Sequence, residues 1–245
     1  MSLARILATA RFEARLLVRN GESLLLVAGL PILLLVFFST VEVLPSGDRD
    51  GVDVLVPGNV TLAVFSTAFV NLAISTGFDR QYGALKRLGA SPLQRSELIA
   101  AKILVVTAVV VVQTIALLAL GALLGWTGPL SPELLVPAIV LGVIGFSGLG
   151  LLLAGRLPGL LALAAANAIY VVLLLVSGLL IPLDELPGAL AVVARVLPTG
   201  ALVSLVDSAT SDVDAHGSAW WVLLAWAVLS PVLAARLMRW APERR

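Results

Sequence analysis

Uncharged runs long enough to cross a bilayer recur along this 245-residue chain: Ser23–Val41, Val54–Phe78, Ile103–Pro132, Leu134–Gly155, Leu157–Leu183 and Gly217–Ala235. Each reaches the roughly 17–20 residues needed to cross about 30 Å of hydrocarbon. Where water is absent, backbone amides and carbonyls must satisfy one another, so such runs become helices. The charge supply agrees. Only 13% of residues are charged, 60% are hydrophobic, and mean hydropathy is +1.06. A water-facing domain keeps roughly 25% of its residues charged. The expected fold is therefore an all-α membrane protein with six transmembrane helices, forming one transmembrane domain over residues 1–245.

Lys and Arg set the orientation. With the N-terminus inside, the inner segments hold Arg5, Arg11, Arg15, Arg19, Arg80, Lys86, Arg87, Arg95, Lys102, Arg156, Arg236, Arg239, Arg244 and Arg245. The outer segments keep only Arg49 and Arg195. Fourteen against two is a strong positive-inside bias, which puts both termini in the cytoplasm. A cleaved signal peptide over residues 1–41 fits worse, because no A-x-A-like site follows the apolar run and the run exceeds a signal core. The chain has no cysteine, which excludes disulfides and thiolate metal sites. Its Arg-heavy basic set hints at GC-rich coding, and the expected location is a bacterial plasma (inner) membrane.

Residues 2–19 are too polar to span. Leu3, Ile6, Leu7, Ala10, Ala14, Leu17 and Val18 fall within roughly 120° of a helical wheel, with Arg5, Arg11, Arg15 and Arg19 on another arc. This pattern predicts a basic amphipathic helix lying in the inner interface, rather than a plain basic flank. A short apolar run, Val196–Val206, has 11 residues and cannot span. It predicts a re-entrant element within the outer segment 184–216.

Several chemistries are excluded. No G-x-x-x-x-G-K-[ST] loop occurs, so the chain cannot cradle nucleotide phosphates in that way. One histidine rules out H-E-x-x-H. No span carries an ionisable group at its middle, which argues against ion-coupled transport. Gly145-Phe146-Ser147-Gly148 matches the G-x-S-G of rhomboid-type intramembrane proteases, whose serine needs a histidine base within hydrogen-bond reach. The only histidine, His216, sits at the outer mouth of span six, roughly 20 Å shallower than Ser147. Gly142, Gly145, Gly148 and Gly150 read instead as close-packing positions, as does Gly121-x-x-x-Gly125.

On span five, Asn167, Tyr170 and Ser177 share one helical face and could serve helix–helix hydrogen bonding or a pathway. The polar residues of span two (Asn59, Thr61, Ser66, Thr67, Asn71, Ser75, Thr76) scatter around an ideal wheel. The inner loop 79–102 is the most articulate segment. Its spacing predicts that span two continues to Leu88, with Gly89 as its stop. Ser91 then reads as an N-cap, Pro92 as the first helical residue and Gln94 as the partner of a capping box. Such a corner is either a plain hairpin or a docking surface.

At this loop the chain resembles the permease subunits of type-2 ATP-binding-cassette exporters, which carry drugs, polysaccharides and lipids. The resemblance covers nearly the whole chain. It rests on the Arg-bearing start before a Pro-containing first span and on Gly83-Ala-Leu85-Lys-Arg-Leu88-Gly-Ala-Ser91-Pro92. It rests also on Gly178, Pro182, Leu186-Pro187 and Leu197-Pro198 after span five. The resemblance implies a membrane-spanning subunit of an ATP-driven exporter, not itself an enzyme. It implies a second permease half, identical or related, and separate ATPase subunits that bind ATP and Mg. The loop 83–95 would then be the coupling helix, with Gly83, Leu85, Lys86, Arg87, Leu88, Ser91, Pro92, Leu93 and Arg95 at the contact. It implies that Leu186–Asp207 forms a re-entrant pair of short outer helices, and it makes Asn167, Tyr170 and Ser177 pathway candidates. Membrane lipid is the remaining expected partner, and nucleic acid is not one. An intramembrane serine protease and a non-transporting scaffold are the alternatives.

Overall fold

The computed structural model describes residues 2–19, 21–40, 51–179, 187–211 and 213–238, without the side chains of 22–28. Among them the chain is helical throughout, with no strand. Helix α1 covers Leu3–Arg19 and α2 covers Gly21–Thr40. Span two is α3, Gly51–Phe65, a π-turn, Ser66–Asn71, and α4, Leu72–Gln81. A short α5, Ala84–Gly89, leads to α6, Arg95–Leu123. Then come α7, Pro132–Ala154, and α8, Gly159–Val176. The last three are α9, Gly188–Val196, α10, Pro198–Thr210, and α11, Ala219–Leu237.

Five of these units are long and apolar enough to cross a membrane: Gly51–Gln81, α6, α7, α8 and α11. The first expected span coincides with α2, whose described apolar stretch is Gly29–Thr40. The hydrocarbon environment explains why α6 is helical despite valines at 105, 106 and 109–112. β-Branched residues cost a few tenths of a kcal/mol each in a helix. An unsatisfied amide in lipid costs several kcal/mol, so the helix prevails. The same logic tolerates Pro31, Pro57, Pro137 and Pro231 inside helices.

Span two and α7 form the centre: 67% of span two's apolar window is buried, against 17% for α8. Glycines let α7 approach its neighbours. A Cβ on Gly148 would lie 2.5 Å from the Pro231 nitrogen, and one on Gly145 would lie 3.4 Å from the Ala227 nitrogen. Gly142 meets Leu202 and Gly150 meets the Phe69 carbonyl, so α7 touches α10, α11 and the π-turn through its small residues. Gly121 packs on Val56 in the same way. Gly125 does not pack; it lies just past α6 with φ 97°, a conformation glycine supplies cheaply.

One end of the bundle gathers α1, residues 82–94, the turn after α7 and the end of α11. Arg80 donates to the carbonyls of Gly155 and Arg156, and Gly155 packs against Met238. We refer to it as the basic end.

Three expectations about connections need correction. Span two stops at Gln81 instead of Leu88, because Gly83 takes φ 77° and turns the chain before Gly89 is reached. Helix α6 starts at Arg95, not at Pro92. The Ser91 hydroxyl is occupied locally, donating to the Leu88 carbonyl and accepting from the Leu93 amide. The capping position falls three residues later, where the Glu97 carboxylate accepts from the Gln94 amide at 3.0 Å. The run Val196–Val206 is not one element either. The chain breaks at Leu197, α9 and α10 meet at 81°, and the Ala209 carbonyl at the end of α10 accepts from the Ser131 amide before α7. Residues 184–186, the start of that expected segment, lie outside the described residues, as does Pro182.

Candidate functional site

The basic end is held together by buried charge. Helix α1 packs on α6 with Ala10 buried and Ile6, Glu13 and Leu17 half-buried, and leaves Leu3, Leu7 and Val18 exposed beside Arg11, Arg15 and Arg19. Two clasps fix it. Arg5 donates to the Pro92 carbonyl at 2.6 Å and pairs with Glu97 at 3.0 Å, while the Ser2 amide donates to the same carboxylate at 2.7 Å. The loop before α6 is thus tied to α1 directly. One helix turn deeper, Lys102 Nζ lies 3.0 Å from Glu13 and 3.2 Å from Asp79, joining α1, α4 and α6. Lys102 is 3% exposed. At 29 residues α6 is about 43 Å long, some 13 Å more than the hydrocarbon thickness. Its first eight residues, Arg95–Lys102, carry both clasps and account for about 12 Å of that length.

Below Lys102 a polar groove of about 200 Å³ runs between α1, span two and α6. Thr67, Asn71, Ser75 and Asp79 line one wall and Val105, Val106 and Val109 the other. The four polar residues are spaced by four. In an α-helix each such step drifts about 40°, so an ideal wheel spreads them over roughly 120°. The π-turn Ser66–Asn71 takes up an extra residue and absorbs the first step, which brings them to one space. The expected scatter of span-two polar residues is corrected accordingly for these positions. At the deep end Thr67 donates to Gln113 at 3.0 Å. The signal that could have exposed the groove is the four-residue repeat ending in Asp79, with Lys102 opposite.

In the loop 83–95, Lys86, Arg87, Ser91, Pro92 and Arg95 are exposed, as are Gly89 and Ala90. Leu88 and Leu93 are half-buried against the chain's own core, and Leu85 is fully buried in it. Gly83 sits at the left-handed corner. The exposed surface is thus basic and polar, with its leucines turned inward.

The three residues of span five do not share a space. Asn167 is exposed and donates to the Leu163 carbonyl of its own helix. Tyr170 is half-buried, its ring stacked on Phe65 with centroids 4.8 Å apart. Ser177 is buried just past the end of α8, donating to the Leu174 carbonyl.

Ser147 and His216 do not meet. Ser147 is fully buried and its hydroxyl has no hydrogen-bond partner. His216 lies in the connection to α11, where its amide donates to Ser204 and its Nδ1 contacts Ser218. Burial, and secondarily the nearby Arg195, lower its pKa below the usual histidine value. A serine without a base, enclosed by α7 packing, is not a nucleophile. Among the described residues no three His, Asp or Glu side chains converge as metal ligands.

Multiple apolar spans packed around a charge-clasped end define a multi-pass membrane protein. Residues 4–209 match the family model of the ABC-2 type transporter, and the chain belongs to that family. It is a membrane subunit of an ABC-2 transporter; domains of this family are the membrane components and not the ATPases. No curated protein matches the chain.

Proposed function

We propose that the chain is the membrane-spanning half of an ATP-driven exporter. Two such halves, identical or related, form the pathway. Separate ATPase subunits bind ATP and Mg beneath the basic end, which faces the cytoplasm of a bacterium. The family supports the kind of partner, since its members work with an ATPase subunit. The observation that carries the docking assignment is the exposed corner of residues 83–95, tied to α1 by Arg5 and Glu97 and continuous with α6. A thrust on Lys86, Arg87 or Arg95 moves α1 and α6 together, because Arg5 bonds the loop at Pro92 and pairs with the fully buried Glu97 of α6. The lipid-facing Leu3, Leu7 and Val18, with Arg11, Arg15 and Arg19 beside them, suit α1 to the inner interface. The outward Asn167 would be costly against lipid and suits a contact with the second half. Tyr170 and Ser177 stay pathway candidates on the family analogy.

The test reverses charge without touching the inward leucines. The double substitution Lys86→Glu with Arg87→Glu should insert normally and lose its ATPase on copurification by at least tenfold, as expected for charged contacts at an interface. Wild-type recovery of ATPase would remove residues 83–95 as the docking element.

A further inference from the structure

The turn at residues 155–158 joins α7 to α8, yet these consecutive helices touch little. Each is held elsewhere by small residues. On α7, Gly145 and Gly148 face α11; on α8, Ala162 meets Gly77 and Gly159 meets Phe78 of α4. The hairpin therefore opens into a wedge of about 380 Å³. Leu149, Leu152 and Leu153 form one wall, Ile169 and Leu173 the other, and Phe69 of the π-turn the floor. Arg156 stands at its end, in the turn.

We propose that this wedge binds one acyl chain of an anionic phospholipid, with the lipid phosphate on Arg156. The lining offers water nothing to bond to, and apolar hollows of this kind exclude it. The wedge is bounded by two spans and open between them, so the occupant comes from the bilayer. The headgroup follows from the charge at the turn. The carbonyls of Gly155 and Arg156 would repel a phosphate, but Arg80 donates to both and covers them. Arg156 is exposed and has no carboxylate within ion-pair distance among the described residues. Leu149 lies seven residues before Arg156, about 10 Å deeper, which matches a headgroup at the turn and a tail running along α7. A guanidinium presents paired donors that match phosphate geometry. The assignment rests on the chain's being a membrane protein, and neither transport nor the ATPase enters it.

Native mass spectrometry of the protein released from vesicles of equal phosphatidylglycerol and phosphatidylethanolamine reads the site directly. Arg156→Gln should lower retained phosphatidylglycerol roughly fivefold relative to phosphatidylethanolamine, the effect of one basic side chain near an anionic headgroup. Arg156→Lys should keep most of the preference. Ile169→Trp, at a wall residue with room outward, should reduce retained lipid of both kinds. The proposal is overturned if Arg156→Gln leaves the lipid ratio unchanged. It is also overturned if Ile169→Trp dissociates an oligomer while lipid per chain stays constant, for then a second copy covers the wedge.

Discussion

Two hollows flank the same π-turn and differ in their polar groups: one carries a polar wall facing an apolar one, the other is apolar on every side but its Arg156 end. Thr67 and Asn71 face a polar groove closed by Lys102, Glu13 and Asp79, while Phe69 floors an apolar wedge open toward the bilayer. The first is held shut by ions that three elements must supply together. The second is left open because α7 and α8 each pack better on another partner. A chain in lipid can leave apolar space to the solvent at small cost, since lipid tails replace the missing side chains. It cannot do so with polar space, where each unpaired group costs several kcal/mol. Charge therefore goes where helices must not separate, and leucine goes where they need not meet.

Lys102→Ala should show this difference most strongly. It leaves two carboxylates facing each other without their shared ammonium, and breaking a buried pair costs about 3–5 kcal/mol. Asp79 is 39% exposed, so the low end, about 3 kcal/mol, is expected in thermal unfolding in detergent. A loss under about 0.5 kcal/mol would reduce the clasp to an ordinary surface pair. The apolar wedge should respond less. Leu152→Ala should cost about 1 kcal/mol, below the usual 2–5 for a packed leucine, because Leu152 already borders open space. A full-sized loss would show that the wedge is closed in solution. Asn71→Leu should change stability by no more than about 0.5 kcal/mol, since its half-exposed carboxamide makes no hydrogen bond among the described residues. A larger cost by the same unfolding measurement would reveal a protein partner for Asn71 and make the groove a packed core.

What the sequence could and could not show follows the same division. Run length and charge placement are additive properties, and they located the spans and the short element near Val196, while small-residue spacing marked the close-packing glycines of α7. The π-turn leaves no mark in a polarity pattern. A wheel drawn at 3.6 residues per turn fans Thr67, Asn71, Ser75 and Asp79 over roughly 120° and mixes them with Asn59, Thr61, Ser66 and Thr76, whereas the structure brings the four to one groove. At the loop, spacing named Gly89 as the end of span two. The decision fell to Gly83, whose left-handed turn folds Leu85 into the core. The clasp of Glu13, Asp79 and Lys102 joins residues up to 89 positions apart, beyond the reach of local pattern.

The bend between α9 and α10 has a consequence for the parity of the chain. Together the two helices hold 22 residues, from nine and thirteen, enough if straight to reach across about 30 Å of hydrocarbon. Bent at 81°, they bring Ala209 at the end of α10 to the Ser131 amide just before α7, a course that a straight pair could not take. Leu197 makes the difference. It precedes Pro198, whose ring disfavours the helical conformation in the residue before it, and it adopts ψ 146°. Were that one residue helical, the pair would add a crossing and α11 would run in the opposite sense. Met238 would then be carried away from Gly155, and Arg236 away from the other basic residues. The sense in which α11 runs is thus set by a single backbone torsion forty residues before its end.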